Sequence, residues 1–233
     1  VRSAVFIIIG VLIGAGIGYQ IGITAIPKPV VPTVTPTVTT TPRPVEVRLG
    51  YLVGVTGALA SFGPDMKAMA ELVVDEFNAA GGIKSLGGAK IRLITADTES
   101  KADVAKIQAR RLVTEEKVHI LAGAFWSSLT FPASEESEKL GIPFVCDTSS
   151  HPDLTERGYR TFFRVWPSDS MLCKQQLEFL KWAQQKTGVR VRKIALVHDD
   201  TAFGTGAAKW WRNWNSDPEI GGYEIVSDIA FTP

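Results

Sequence analysis

Two spacings of hydrophobic residues alternate along most of this chain, a two-residue period or short apolar run and then a three-and-four period. Val45–Val55 alternates and then turns apolar, which predicts a first strand ending in the glycine-containing turn Gly54–Gly63. Met66, Met69, Ala70, Val73, Val74 and Phe77 follow at helical spacing and predict an amphipathic helix closed by Gly81 and Gly82. Ile91–Ala96 predicts a second strand. Asp97–Ser100 predicts the start of a helix whose apolar face includes Ala105, Ala109 and Leu112. Val118–Ala122 reads as a buried third strand that stops at Gly123, before a segment of helical spacing with an acidic start at Glu135 and Glu136. Ile142–Cys146 and Tyr159–Val165 complete the series as strands. Strand and helix in alternation imply an α/β fold, a three-layer α/β/α arrangement around a parallel sheet.

After Val165 the composition changes, and Pro167-Ser168-Asp169 predicts a cap opening a new helix with Cys173, Leu177, Leu180 and Gln184 on its face. Lys193–His198 predicts a strand, Gly204–Trp214 a helix and Tyr223–Phe231 a further strand. These are the opening elements of a second α/β layer, and its apolar residues Trp210, Trp211 and Trp214 are expected to stand uncovered.

The first 45 residues follow neither period. Ser3–Pro27 carries no charge and Phe6–Ile23 is dominated by Ile, Val, Leu and Gly. About 20 such residues at roughly 1.5 Å each cross a bilayer core of roughly 30 Å. Arg2, the only charge ahead of the run, argues for an inside N-terminus and an exported remainder. A signal peptide fits the same stretch; the length of the apolar run and the lack of a clear A-x-A site favour an anchor. Pro27–Pro44 is almost wholly Pro, Thr and Val, which favours an extended stalk of roughly 50 Å. The expected organisation is an anchor or signal segment over 1–26, a Pro/Thr-rich linker over 27–45, a first lobe over 46–165 and a partial second lobe over 166–233.

Composition changes this picture little. With 233 residues, 45% hydrophobic, the chain can bury one or two cores. A net charge of +1 and the lack of a basic stripe give no case for nucleic acid. Cys146 and Cys173 fall in a predicted strand and a predicted helix and read as buried thiols. His119, His151 and His198 have no ligand at metal spacing, so neither a metal nor a cofactor is expected. Gly54-x-x-Gly57 and Gly204-x-Gly206 follow strands but lack the full dinucleotide fingerprint and the Walker lysine, so turn geometry accounts for them. No nucleophile elbow is present, and no enzyme is expected.

Candidate chemistry lies in two turns. Ser127 and Ser128 follow the third strand; Thr148, Ser149 and Ser150 follow the fourth. If those strands are neighbours in a parallel sheet, both turns lie at its carboxyl edge, where open α/β sheets bind ligands. Unpaired N–H groups and the positive end of a helix dipole favour an anion there, and two donor clusters facing one crevice could hold a carboxylate. Taken singly, either turn also reads as an ordinary helix N-cap.

G-A-F-W-S-S-x-T-x-P-A-S from Gly123, G-I-P-F-V from Gly141 and P-D-L-T-E-R-G-Y-R-x-F-F-R from Pro152, in that order, resemble the ligand-binding half of the periplasmic leucine/isoleucine/valine-binding proteins. The similarity runs back to Val47 and forward through I-A-L-V-H-D-D-T-A-F-G-T-G, Ile194–Gly206. The resemblance implies an extracytoplasmic receptor that closes two lobes over a small carboxylate-bearing ligand and delivers it to an ABC permease. The ligand-sensing half of a membrane receptor is the alternative. It implies carboxylate contacts at Ser127, Thr148 and Ser150, with Ser149 in the same turn, an aromatic cover at Phe203 where well-known relatives have tyrosine, and an aromatic at the cleft mouth at Phe62. Trp126 stands at a position where a relative has a disulfide cysteine, and the partner position is Glu99, so that disulfide is absent. Asp169 matches an acidic position near the ligand amine, and Phe163–Pro167 matches the first crossing between lobes. A branched-chain amino acid is the expected ligand, with an aromatic acid or amide left open by Phe203 and Trp126. Relatives are well over a hundred residues longer, so the chain is expected to be a fragment or a truncated reading frame.

Overall fold

The computed structural model describes residues 46–232, so the anchor and stalk expectations lie outside the described residues. Among the described residues no helix is long and apolar enough to cross a membrane. The first strand, β1 (Glu46–Val53), is buried over its last four residues, Gly50–Val53, the run where its alternation gives way to apolar residues. A strand covered on both faces has no polar side to present. Helix α1 (Gly63–Ala79) begins three residues ahead of its predicted apolar face, with a proline in its first turn where no N–H is missed. Strand β2 (Lys90–Asp97) follows.

Here the prediction needs correction. Asp97–Ser100 does not start a helix; α2 begins at Ala102 and runs to Thr114. Glu99 and Ser100 both take positive φ, 50° and 58°, which no right-handed helix accommodates. The Asp97 carboxylate instead ties down the preceding turn, accepting from the N–H groups of Val55 and Glu99 at 2.9 Å each and from the Thr56 hydroxyl at 2.7 Å. Those donors hold its carboxyl below the usual range although burial opposes them.

Strand β3 (Ile120–Gly123), helix α3 (Ser127–Leu140), strand β4 (Phe144–Cys146), a single-turn helix α4 (Asp153–Glu156) and strand β5 (Phe162–Arg164) complete the first sheet. The last two strands are shorter than their apolar runs. All pairs are parallel, in the order β2-β1-β3-β4-β5. Helices α2 and α3 pack on each other, and Ala105 and Ala109 of the one and Ala133 of the other are all buried in the core. Glu136 is buried in the same α3 face and pairs with Arg110 of α2. The opposite face carries α1. Its Met69 and Val73 stay largely exposed and line a groove of about 580 Å³ whose walls include Tyr51 and Asp147.

The second layer is smaller. Helix α5 (Asp169–Thr187) and helix α6 (Ala202–Asn215) pack on each other, and strands β6 (Lys193–Asp199) and β7 (Glu224–Phe231) pair in parallel. The three tryptophans of α6 are not left uncovered. Each is half-buried, Trp214 donates to the Ser170 carbonyl at 2.8 Å and Trp211 to Gln176 Oε1 at 2.7 Å, because α5 lies alongside. Cys146 and Cys173 are both free and buried, with thiols pushed up by burial, Cys173 to about 12.

Candidate functional site

Sheet register decides where the two hydroxyl-bearing turns lie. Leu52 of β1 pairs with Gly123 of β3, and Gly123 pairs with Cys146 of β4, so these strands end level at one carboxyl edge. The turns after β3 and β4 are therefore neighbours, as the sequence predicts. They are also joined. Ser149 donates to the Phe125 carbonyl at 2.8 Å, and with its one proton spent there it accepts from the Thr130 hydroxyl at 2.6 Å. The His151 N–H reaches Ser127 Oγ at 3.4 Å.

Helix α3 opens at Trp126, which provides no side-chain cap. The N–H groups of its first turn are thus of the kind a helix leaves unpaired, and Ser127 stands at the first position. Phe125 just ahead takes φ 72°, an uncommon conformation for a residue with a side chain, and its ring stacks on Phe62 at a centroid distance of 6.2 Å. Phe62 is brought there by a tight approach in the turn after β1. A Cβ added at Gly63 would fall 1.9 Å from the Gly54 carbonyl oxygen, so only glycine lets α1 start so close to that strand.

Around these turns lies a hollow of about 440 Å³. Seven of the eight sequence-predicted residues line it: Phe62, Trp126, Ser127, Thr148, Ser149, Ser150 and, from the second layer, Phe203. Asp169, the eighth, is placed elsewhere. It is the first residue of α5 and lines an adjoining cavity, which shares only Leu172, Asp199 and Phe203 with the hollow. Its N–H donates to the Ser150 carbonyl at 2.8 Å, and burial pushes its carboxyl up, against opposing contributions from the Ser150 hydroxyl, His151 and Arg164. The sequence reading missed Phe125, Trp166, Leu172 and Asp199, which complete the wall. Phe125 was visible as part of the turn motif; Trp166 lay in the crossing segment and gave no chemical signal.

Electrostatics at the hydroxyl end are mild. No Lys, Arg or His lines the hollow, so an anion there would meet hydroxyls, N–H groups and a helix dipole rather than a countercharge. The one acid in the wall, Asp199, spends Oδ1 on the N–H groups of Thr201 and Gly204, at 2.9 and 3.1 Å, and on the Thr201 hydroxyl. Arg164 stays outside, donating to the His151 carbonyl at 2.8 Å and to Thr155 Oγ1 at 3.0 Å, and so stiffens the loop after β4. Among the described residues no group of three His, Cys, Asp or Glu side chains could hold a metal ion.

The chain belongs to the periplasmic binding protein family, whose model matches residues 46–222. It is similar to an amino acid binding protein of Pseudomonas aeruginosa, 34% identical over 163 residues, 70% of this chain and 41% of that protein. It is likewise similar to Leu/Ile/Val-binding protein homolog 7 of Brucella abortus, 31% identical over 171 residues, 72% of this chain and 42% of that protein. Among solved structures, the branched-chain amino acid transporter substrate binding protein LivJ of Streptococcus pneumoniae, in complex with isoleucine, superposes with a TM-score of 0.68 at 29% identity. That match covers 80% of this chain and 50% of the other. The chain spans less than half the length of the two curated relatives. The first sheet with its helices is one lobe of this fold, and the second layer is part of the other.

Proposed function

We propose that this chain is the solute-capturing part of an extracytoplasmic binding protein. It takes a small carboxylate-bearing ligand, a branched-chain amino acid or a related amino acid or amide, for delivery to an ABC permease, and it releases that ligand unchanged. The observation that supports this best is the convergence of Ser127 and Thr148–Ser150, from turns a helix and a strand apart, with Phe203 of the other lobe around one hollow. Residues 46–165 and 166–233 serve as the two lobes. Contacts made by the ligand to both favour the closed arrangement, so capture and closure are one equilibrium.

In this reading Ser127 and the first N–H groups of α3 take one carboxylate oxygen and Thr148 with Ser150 the other. Ser149 holds the turns together rather than touching the solute, since its hydroxyl is already engaged on both sides. Phe62, Trp126 and Phe203 cover the remainder of the ligand. Asp169 sits behind the Ser150 turn and supports it. The uncharged apolar run within 1–26 and the Pro/Thr-rich stretch over 27–45 support attachment to the outer face of a membrane.

A thermal-shift screen against amino acids, their amides and small organic acids tests the proposal, because a ligand that binds only the folded form raises the melting temperature. Carboxylate-bearing solutes should raise it, and their esters should not. A folded protein whose melting point responds to none of them would overturn the proposal.

A further inference from the structure

Beside its four hydroxyl-bearing residues and Asp199, the hollow is unusually rich in rings. Five of its eleven lining residues are aromatic, Phe62, Phe125, Trp126, Trp166 and Phe203, and Leu172 is the single aliphatic one. The rings come from four separate places: the turn after β1, the turn after β3, the crossing between the lobes and the first turn of α6. Three of them are open to solvent, Phe62 at 57%, Trp166 at 47% and Phe203 at 42%. Large apolar side chains gathered around one concavity mark a surface that is covered in use.

From this wall we infer that the site selects a carboxylate carried on an aromatic ring over one carried on a branched aliphatic chain. The inference rests on the reading of the hollow as a carboxylate-capturing site and, within that reading, sets a ring-bearing ligand ahead of the branched-chain amino acid. Branched aliphatic chains gain about the same from any apolar wall, in proportion to the area they bury. A flat ring gains in addition from offset or edge-on packing against other rings. Phe62 and Phe125 already offer such a face, stacked with 28° between their planes. With the carboxylate held by the hydroxyls and N–H groups of the two turns, the rest of the ligand meets a lining in which five of the remaining seven residues are aromatic.

An aromatic amino acid and an aromatic acid without an α-amino group share this chemistry, and Asp199 is the one side chain in the wall that could tell them apart. Isothermal titration of the full chain with phenylalanine, phenylacetate, leucine and isoleucine provides the test. At least one of the two aromatic carboxylates should bind tenfold or more tighter than both aliphatic ones. Tighter binding of phenylalanine than of phenylacetate assigns the amino acid, and the reverse order assigns the acid; either supports the inference. Trp166→Val should cost the aromatic ligand fivefold or more and change leucine binding less than twofold, a split that general unfolding would not produce. Leucine or isoleucine binding as tightly as the better aromatic ligand would overturn ring selection and leave carboxylate capture standing. If none of the four binds to protein shown by circular dichroism to be folded, both readings fall.

Discussion

Replacing Ser149 with alanine tests the join between the two turns. The Ser149 side chain is almost wholly buried, and its hydroxyl makes two short bonds, to Thr130 Oγ1 at 2.6 Å and to the Phe125 carbonyl at 2.8 Å. Alanine removes both. The Thr130 hydroxyl loses the acceptor of its proton while still accepting from the Ala124 N–H at 3.4 Å, a loss of one ordinary hydrogen bond, about 1 kcal/mol net. The Phe125 carbonyl is left without its donor in partly buried surroundings, which costs about a further 1 kcal/mol. The sum, about 2 kcal/mol, corresponds to a drop of roughly 4–8 °C in melting temperature for a domain of this size. With the turns untied, Ser127 and Thr148 no longer hold a fixed separation, and affinity for a carboxylate ligand should fall about tenfold, or 1.4 kcal/mol. Thr148→Ala supplies the contrast, because Thr148 is only half-buried and lines the hollow. It should weaken binding comparably while changing stability by less than about 0.5 kcal/mol. Thermal melts and titration calorimetry on both variants read the two quantities. A Ser149→Ala protein that melts within about 1 °C of the parent would refute the account of this join.

Three further outcomes are expected. Burial raises the Asp147 carboxyl above its ordinary 3.8, so the folded chain holds a proton there that the unfolded chain releases. Stability from this source is full below pH 3.8 and declines as the pH climbs past it. Asp147→Asn should therefore raise stability at about pH 7 and flatten that decline in urea titrations run from about pH 4 upward; an unchanged slope would remove Asp147 as its source. A β-carbon at Gly206 would lie 2.7 Å from His151 Cδ2, so with alanine there either the His151 ring or α6 must shift. Gly206→Ala should weaken ligand binding about tenfold, and adding His151→Ala should restore most of it, a coupling that a double-mutant cycle measures. Arg110→Ala leaves the buried Glu136 without its cation and should cost about 3 kcal/mol in urea unfolding, the low end for such a loss because Arg110 is itself largely in solvent.

Much of the fold was legible because strands of the first sheet read as apolar runs, most clearly β1, buried over its last four residues, and β3. The placing of Ser127 and Thr148 at one edge followed from chain order alone, since parallel strands joined by a helix end on the same side. Less legible was the start of α2, where positive φ at Glu99 and Ser100 is set by bonds to Asp97 and the turn after β1, some forty residues away. Nor could sequence assign each hydroxyl its task. Ser149 and Thr148 are neighbours of similar chemistry, and only the positions of Phe125 and Thr130 decide that Ser149 turns inward. The two acids pose a related problem. The resemblance marks Asp169 as an acidic position near the ligand amine, whereas the structure sets it at the start of α5, lining the adjoining cavity, and brings Asp199 to the hollow from the end of β6. Trp166 and Leu172 gave no sign of their role because a wall assembled from two lobes has no local periodicity.

The central claim is that the acidic end of a small solute sits between the turns after β3 and β4. Amide chemical shifts of isotopically labelled protein, followed during titration with the best ligand from the thermal screen, test it residue by residue. The account predicts saturable shifts led by the amides of Ser127, Ser128 and Thr148–Ser150, with Phe203 moving in step. Saturable shifts confined to the groove under α1, with those five amides unmoved, would contradict it.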